Sequence, residues 1–195
     1  GQHYVGGGSI TLVGNILYQS AWTCGVGIFD VSKPESIRAI GNFETPDPYM
    51  DVSISGHIAV IANMGDGLRL LDISDPLNIK EIGSLSPGLA AGTFLQVCTD
   101  AQYAYVATEG CGMQIFDIVQ PDSPLLVGWL DTPGIARGIA LSNGFAYVAD
   151  SEGWLGEEGG LRVIDVHVPS SPVEVGFCLF SASATRVAIS SGYAY

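Results

Sequence analysis

The sequence is poor in positive charge, and this shortage narrows the range of partners that it can recognise. Its 195 residues include 7 Lys and Arg against 20 Asp and Glu, which gives a formal net charge of −13. A field of that sign repels phosphate backbones, so nucleic acid is not expected as a partner. The acidic surface agrees with simple solubility, and it also suits a divalent cation or a basic partner.

Long apolar segments and helical patterns are lacking as well. No apolar run approaches the roughly 18 residues that a transmembrane helix needs, and no secretion signal is visible at the N-terminus. No segment repeats apolar residues at i, i+3, i+4 and i+7 over the length of a helix, which argues against a helical fold. The apolar content of 47% nevertheless excludes intrinsic disorder.

The cysteines form no metal or redox motif. Their spacing contains no CxxC pair, and the three histidines are scattered, so a zinc site is not expected. Cys24 and Cys111 fall at the same place in two units of a repeat that are not neighbours, while Cys98 and Cys178 fall on inner and outer strands. We therefore predict four free thiols.

What the sequence does contain is a repeat of about 42 residues. Four segments share an Asp, a Pro four residues later and a Gly eleven residues later: GVGIFDVSKPESIRAIG, GLRLLDISDPLNIKEIG, GMQIFDIVQPDSPLLVG and GLRVIDVHVPSSPVEVG. Because equivalent positions of successive repeats cannot converge, these acids are expected to accept backbone N–H bonds in the turns that follow them. They are Asp30, Asp72, Asp117 and Asp165.

A hairpin precedes each of these segments, and a fifth copy ends the chain. The hairpins read ITLVGNILYQS, VSISGHIAVIA, VCTDAQYAYVA, IALSNGFAYVA and VAISSGYAY. Each unit therefore has four strands, A to D, and four strands in about 42 residues are typical of a propeller blade. The strands are apolar on both faces, as stacked blades require and a sandwich with one solvated face does not. The predicted A–B turns are Gly14-Asn15, Gly56-His57, Ala101-Gln102, Asn143-Gly144 and Ser191-Gly192.

The sequence thus predicts an all-β fold, a β-propeller of four-stranded antiparallel blades with four full blades and the first half of a fifth. The blades are expected at about residues 9–45, 50–87, 94–132 and 136–180, with a partial blade at 184–195, in one domain. Such an incomplete propeller leaves apolar faces and strand edges unpaired. We expect the chain to self-associate through these ends, or to be part of a longer protein.

The repeat resembles a known family. The segments GLRVIDV and GLRLLDI, the proline-containing continuation and the preceding GFAYVAD are similar to LVIVD-repeat proteins over about residues 9–195. The resemblance implies a β-propeller and, commonly, a bacterial or archaeal protein that is exported or attached to the cell surface. It implies no reaction, because propellers host many unrelated functions.

Loop lengths predict which face binds a ligand. The A–B and C–D connections share one face and keep their lengths, whereas three extra residues in one D–A connection and six in one B–C connection lie on the opposite face. Repeat proteins usually place binding on the face that carries insertions. We therefore expect a non-catalytic binding or scaffolding module that recognises a protein or a glycan through this B–C/D–A face, without a required cofactor.

The candidate ligand residues surround that face. The insertion within 150–160 carries four carboxylates and a Trp among glycines. Carboxylates on a flexible loop suit Ca²⁺, and a Trp beside them suits a sugar ring or a peptide, although such loops are often only solvated. The D–A loops add residue types that anchor interfaces, among them Phe94 and Gln96, which could instead pack between blades. The main candidates are Asp150, Glu152, Trp154, Glu157, Glu158, Arg137, Tyr49 and Asp47.

Two other functions stay open. A polysaccharide-cleaving enzyme needs two carboxylates roughly 5–10 Å apart, which requires an acid of the 150–158 loop to fold over Asp47 or Asp51. No Ser-His-Asp or Cys-His set is legible, since His57 and His167 fall in turns of the opposite face. Alternatively, the chain is only a structural segment of a larger surface protein.

Overall fold

A computed structural model describes residues 7–21, 25–44, 51–86, 92–153, 159–179 and 183–195 of the chain. Its strands form four four-stranded antiparallel sheets and one two-stranded hairpin, which confirms the predicted four and a half blades. The sheets are not closed into a ring. In the described part of the chain, no helix is long and apolar enough to cross a bilayer.

Within each sheet the strands lie side by side in chain order, so that every sheet has the predicted A, B, C and D strands. Blade one contains β1 (Gly7–Val13), β2 (Ile16–Ala21), β3 (Gly25–Asp30) and β4 (Arg38–Phe43); blade two contains β5 (Asp51–Ser55), β6 (Ile58–Asn63), β7 (Gly67–Asp72) and β8 (Lys80–Leu85). Blade three contains β9 (Thr93–Thr99), β10 (Tyr103–Glu109), β11 (Gly112–Asp117) and β12 (Leu125–Leu130); blade four contains β13 (Ile135–Ser142), β14 (Phe145–Ser151), β15 (Gly160–Asp165) and β16 (Val173–Leu179). The partial fifth blade is the hairpin of β17 (Ile189–Ser190) and β18 (Tyr193–Ala194).

The repeated Asp stabilises the C–D turn, as predicted. In blade one, Asp30 Oδ1 accepts the N–H of Ser32 at 2.9 Å, and the N–H of Ser36 donates to the carbonyl of Lys33 across the proline. The same two bonds recur in the other three blades. The repeated carboxylates therefore have a structural role in each blade separately.

Four of the five predicted A–B turns contain a residue with positive φ. Both central residues have positive φ in Asn143-Gly144 and Ser191-Gly192, and the first one does in Gly14-Asn15 and Gly56-His57. The turn at Ala101-Gln102 is different, because neither residue has positive φ. There the carboxylate of Asp100 accepts the N–H groups of Gln102 and Tyr103 at 2.8 and 2.7 Å, so a side chain stabilises the reversal.

The core lies between neighbouring blades and is built around the B strands. All six residues of β6 are buried, as are five of the seven in β10, whereas the four outer D strands contain only one buried residue, Gly128. One apolar cluster fills each of the three boundaries between complete blades. Burial on both faces explains why these strands lack polar alternation.

The repeated glycine and proline meet across each blade boundary. Gly83 in β8 lies against the carbonyl of Pro121 in the next C–D turn, so closely that an added Cβ would overlap with this oxygen. Gly128 and Pro169 make the same contact, and at Gly41 a Cβ would lie 3.5 Å from the carbonyl oxygen of Pro76. At each of these three boundaries, the C–D turn of the following blade thus packs against the D strand.

A second repeated contact joins the inner A strands. At each boundary, a side chain at one fixed position of the A strand accepts the N–H of a residue in the next A strand. The pairs are Ser9 Oγ with Val52 (3.0 Å), Asp51 Oδ2 with Val97 (2.9 Å) and Gln96 Oε1 with Ile139 (2.7 Å).

Candidate functional site

The connections of the two faces differ in how much their lengths vary. The C–D connections, 31–37, 73–79, 118–124 and 166–172, all have seven residues, and the A–B connections have two or three. On the opposite face, the B–C connections range from two residues (110–111) to eight (152–159), and the D–A connections from four (131–134) to nine (180–188). The connections of the B–C/D–A face therefore vary far more in length than those of the opposite face.

The described residues include three of the eight main candidates: Arg137, Asp150 and Glu152. The structure brings these three to one edge of blade four, because Ala136 pairs with Asp150 in the β13–β14 ladder. The other candidates lie outside the described residues, so their predicted role in ligand or Ca²⁺ binding stays a prediction. They are Trp154, Glu157, Glu158, Tyr49 and Asp47.

Asp150 belongs to β14 and is fully buried, whereas the sequence placed it in the inserted loop. Its Oδ2 accepts the Nε–H of Arg162 at 3.1 Å and the N–H of Gly134 at 3.2 Å. Arg162 also lies 3.6 Å from Glu174 and packs its guanidinium over the ring of Phe177. A buried carboxylate needs such a partner, so Asp150 helps to hold the end of β14 in place, while Glu152 is exposed two residues later.

Arg137 sits at a bulge of β13, between Ala136 and Gly138. Its side chain is exposed, and its Nε–H donates to the hydroxyl of the buried Ser151 at 2.9 Å. This bond fixes the direction of a guanidinium that remains at the surface. Among the described candidates, Arg137 is thus the one whose charged group is both oriented and accessible.

Phe94 and Gln96 lie on β9 and not in a loop. Phe94 is buried in the apolar cluster between blades two and three, where its ring centroid lies 5.7 Å from that of Phe116. Gln96 accepts the N–H of Ile139 from the next blade. Both residues therefore hold blades together, which is the alternative role that the sequence left open.

Asp51 is a second buried acid, at the start of the inner strand β5. Burial raises the pKa of its carboxyl, against the opposing effects of hydrogen bonds from Ser9 and Val97 and of the positive charge of Arg186. In the repeat, Arg186 precedes β17 at the position that Asp51 has in β5. The sequence suggested Asp51 only as a possible catalytic acid. Its burial was not predicted, because the residue directly follows a loop in the sequence.

A cleft on the opposite face was missed. It has a volume of about 520 Å³, within the range of ligand pockets, and opens between blades three and four. The hydroxyl of Tyr105 donates to Asp100 Oδ2 at 3.1 Å, and burial together with that carboxylate raises the pKa of Tyr105. The available signal was the pair of tyrosines in YAYVA. The residues that line this cleft include Asp100, Tyr103, Tyr105, Asn143, His167 and Pro169.

The partner of Asp150 was missed as well, although the repeat contained a signal for it. Arg69 and Arg162 occupy the same position in GLRLLD and GLRVID, and each has a Glu two residues before the repeat glycine. Arg69 lies 2.9 Å from Glu81, as Arg162 lies near Glu174. Paired charges at two fixed positions thus indicated a link between the C and D strands.

The metal-ligating and thiol groups of the described residues add no further site. No cluster of three His, Cys, Asp or Glu side chains that could hold a metal ion occurs among the described residues. Cys98, Cys111 and Cys178 are reduced and form no disulfide, as predicted, and Cys24 lies outside the described ranges. Burial raises the pKa of Cys98, so its thiol stays protonated at neutral pH.

Comparison with solved structures supports the propeller architecture. The chain is similar to the computationally designed Ika8 protein (TM-score 0.71, 9% identity, 95% of this chain and 53% of that one). It is also similar to a functionally unknown protein from Desulfotomaculum acetoxidans DSM 771 (0.72, 13%, 93% and 58%) and to the β-propeller domain of Myceliophteria thermophila Cps50 (Swd1) (0.66, 15%, 96% and 61%). The chain thus spans between half and two thirds of these proteins, and at such identities the likeness shows the fold alone.

Sequence comparison identifies the repeat itself. No curated protein sequence matches the chain. The family model of the LVIVD repeat matches three segments, 49–86, 96–132 and 133–179, which cover the strands of blades two, three and four except the start of β9 and together make up more than half of the sequence. The chain therefore belongs to the LVIVD repeat family.

Proposed function

We propose that the chain is a non-catalytic binding module that recognises a protein or a glycan through its B–C/D–A face. The observation that carries this proposal is the contrast in loop length: seven residues in every C–D connection, against two to nine on the opposite face. The constant turns are needed for packing, since each carries a proline or an Asp that the fold uses. Loops without such a role are free to acquire contacts with a ligand.

Arg137 is the described residue best suited to contact a ligand on this face. Its guanidinium is exposed and already oriented by Ser151, so little rotamer freedom is lost on binding. Such a group binds a carboxylate or the hydroxyls of a sugar. The net charge of −13 favours a partner with a basic surface, and the exposed Glu152 adds to the negative charge of this face.

Two features support a non-catalytic role. Asp150 and Asp51, two of the three described acids considered for glycoside cleavage, are buried and accept hydrogen bonds from the fold itself, and only Glu152 is exposed. A pair of catalytic carboxylates has to face the scissile bond instead. The residues that the repeat preserves most strictly, such as Asp30 and its equivalents, hold turns on the face opposite to the variable loops.

We also propose that the protein acts outside the cell or at its surface, as the resemblance to LVIVD-repeat proteins implies. Free thiols are uncommon in such places, but Cys98 is protected because its buried thiol has a raised pKa. Fractionation of producing cells, with antibody detection of the natural protein, tests this location. Recovery from the cytosolic fraction alone would contradict it.

The binding proposal is tested with a glycan array and an array of basic peptides. Arg137→Ala removes the guanidinium of the proposed face, and Tyr103→Ala, the matched control, removes a ring from the cleft on the opposite face. We expect Arg137→Ala to weaken binding about tenfold, the effect of losing an interface anchor, and Tyr103→Ala to leave it unchanged. The reverse pattern would move the ligand to the cleft. Absence of binding on both arrays would contradict the proposal itself.

A further inference from the structure

The repeat glycine of blade four lacks the neighbour that the other three have. A Cβ built on Gly176 in β16 would meet no described atom within 4 Å, while its three equivalents contact the C–D turn of the next blade. Among the described residues, the repeat proline that contacts no repeat glycine is Pro34 of blade one. It is exposed, whereas the prolines seated against Gly41, Gly83 and Gly128 are half-buried.

The side chain next to Gly176 is uncovered in the same way. Val175 is 55% exposed. Its three equivalents, the residues before the other repeat glycines, are packed against the apolar clusters between blades. They are Ile40, Ile82 and Val127. The outer face of blade four therefore has the composition of a boundary between blades, without a complete blade on it.

The free face of blade one shows the complementary half of this boundary. Ile10 in β1 is 62% exposed. The residues at the same position of the next three A strands are at most 3% exposed, and they pack in the cluster shared with the preceding blade. They are Val52, Val97 and Ile139. Ile10 is thus the equivalent residue that no described blade covers.

We infer that blade four of one copy docks against blade one of a second copy, head to tail, with the Pro34 turn seated on Gly176 and Ile10 packed beneath it. The contact repeats the boundary that occurs three times inside the chain, so both of its halves already have the required shape. This surface is separate from the proposed ligand face.

The hairpin of β17 and β18 occupies part of the docking surface, since β17 contacts β13. It pairs only two residues per strand, and Tyr193 and Tyr195 are exposed. A complete blade of a second copy takes its place and covers Val175 as well. Because the two docked surfaces are different, the contact is heterologous, so association can continue beyond a dimer or close into a ring.

Two variants block one end each. Gly176→Val fills the space above Gly176, and Ile10→Glu places a charge on the free face of blade one. Because neither residue is buried by the chain's own fold, the melting temperature of each variant should stay within a few degrees of wild type. Leu77→Glu is the matched control, because Leu77 is an exposed apolar residue away from both ends. Sedimentation velocity from about 1 to 100 µM covers micromolar affinities.

We expect wild type and Leu77→Glu to associate, and each end variant alone to be monomeric. A 1:1 mixture of the two end variants should form a dimer and nothing larger, since it retains one intact pair of ends. Three outcomes would overturn the inference. They are a monomeric wild type, association of Ile10→Glu alone, which would mean that like ends pair, and stronger association of Gly176→Val, which non-specific apolar contact would produce.

Discussion

Gly128 allows the contact between blades to be measured inside a single chain. An added Cβ would overlap with the carbonyl oxygen of Pro169, and φ at this glycine is not positive, so alanine meets an obstacle in the neighbouring blade and not in its own backbone. Overpacking typically costs about 1–3 kcal/mol, and we expect the upper end of this range because the obstructing atom is a main-chain oxygen that cannot rotate away. Alanine regains about 0.5–1 kcal/mol relative to glycine in a strand. The net destabilisation expected for Gly128→Ala is therefore about 2 kcal/mol.

The equivalent glycines provide controls at the same position of the repeat. At Gly41 the Cβ would be in ordinary contact, 3.4 Å from Ile28 and 3.5 Å from Pro76, and at Gly176 it would meet nothing. Both alanine variants should be as stable as wild type or more stable by about 0.5 kcal/mol. For a domain of this size, 2 kcal/mol corresponds to a decrease in melting temperature of about 4–8 °C. Thermal unfolding followed by circular dichroism detects that difference, and equal melting temperatures for Gly128→Ala and Gly176→Ala would refute the proposed docking of turn on glycine.

Three further predictions concern buried groups. Arg162→Met leaves Asp150 buried without its cation, and it should lower the free energy of unfolding in urea by about 3–5 kcal/mol. Asp150→Asn should restore much of this loss in the double variant. A loss below about 1 kcal/mol would mean that the pair is not buried. The pKa of Asp51 is raised in the folded state, so its carboxylate lowers stability at neutral pH, and this penalty disappears as the pH falls towards the unfolded pKa of about 4. Any advantage of Asp51→Asn in melting temperature should accordingly be larger at pH 7 than at pH 4, and the opposite trend would be evidence against the burial. Cys178 should react at once with Ellman's reagent in the native protein and Cys98 only after unfolding, since one thiol is exposed and the other has a raised pKa; equal rates would contradict the packing of β9.

The fold was largely predictable because each repeat carries its own local chemistry. The Asp that precedes a proline accepts the N–H two residues on, and this bond depends on no other part of the chain. Asn143-Gly144 likewise encodes its turn locally. The reversal after β9 was not predictable from its central residues, since the carboxylate of Asp100 takes over the stabilising role.

The candidate site was less predictable, because its residues act across blades. Asp150 adjoins an insertion, so its position alone suggested a loop, and only the opposing Arg162 shows that it belongs to the strand. Gly83 and Pro121 were both visible in the repeat, but they meet in neighbouring units, and no pattern within one unit reveals that contact. Arg137 was correctly placed on the variable face, although on a strand and not in a loop.

Sedimentation velocity of the unmodified chain over increasing concentration tests most directly whether the boundary between blades continues from one copy to the next. A weight-average sedimentation coefficient that rises with concentration, and that Gly176→Val reduces to the value of a monomer, is the predicted result. A single monomeric species over the whole range, or association that Gly176→Val leaves unchanged, would contradict it.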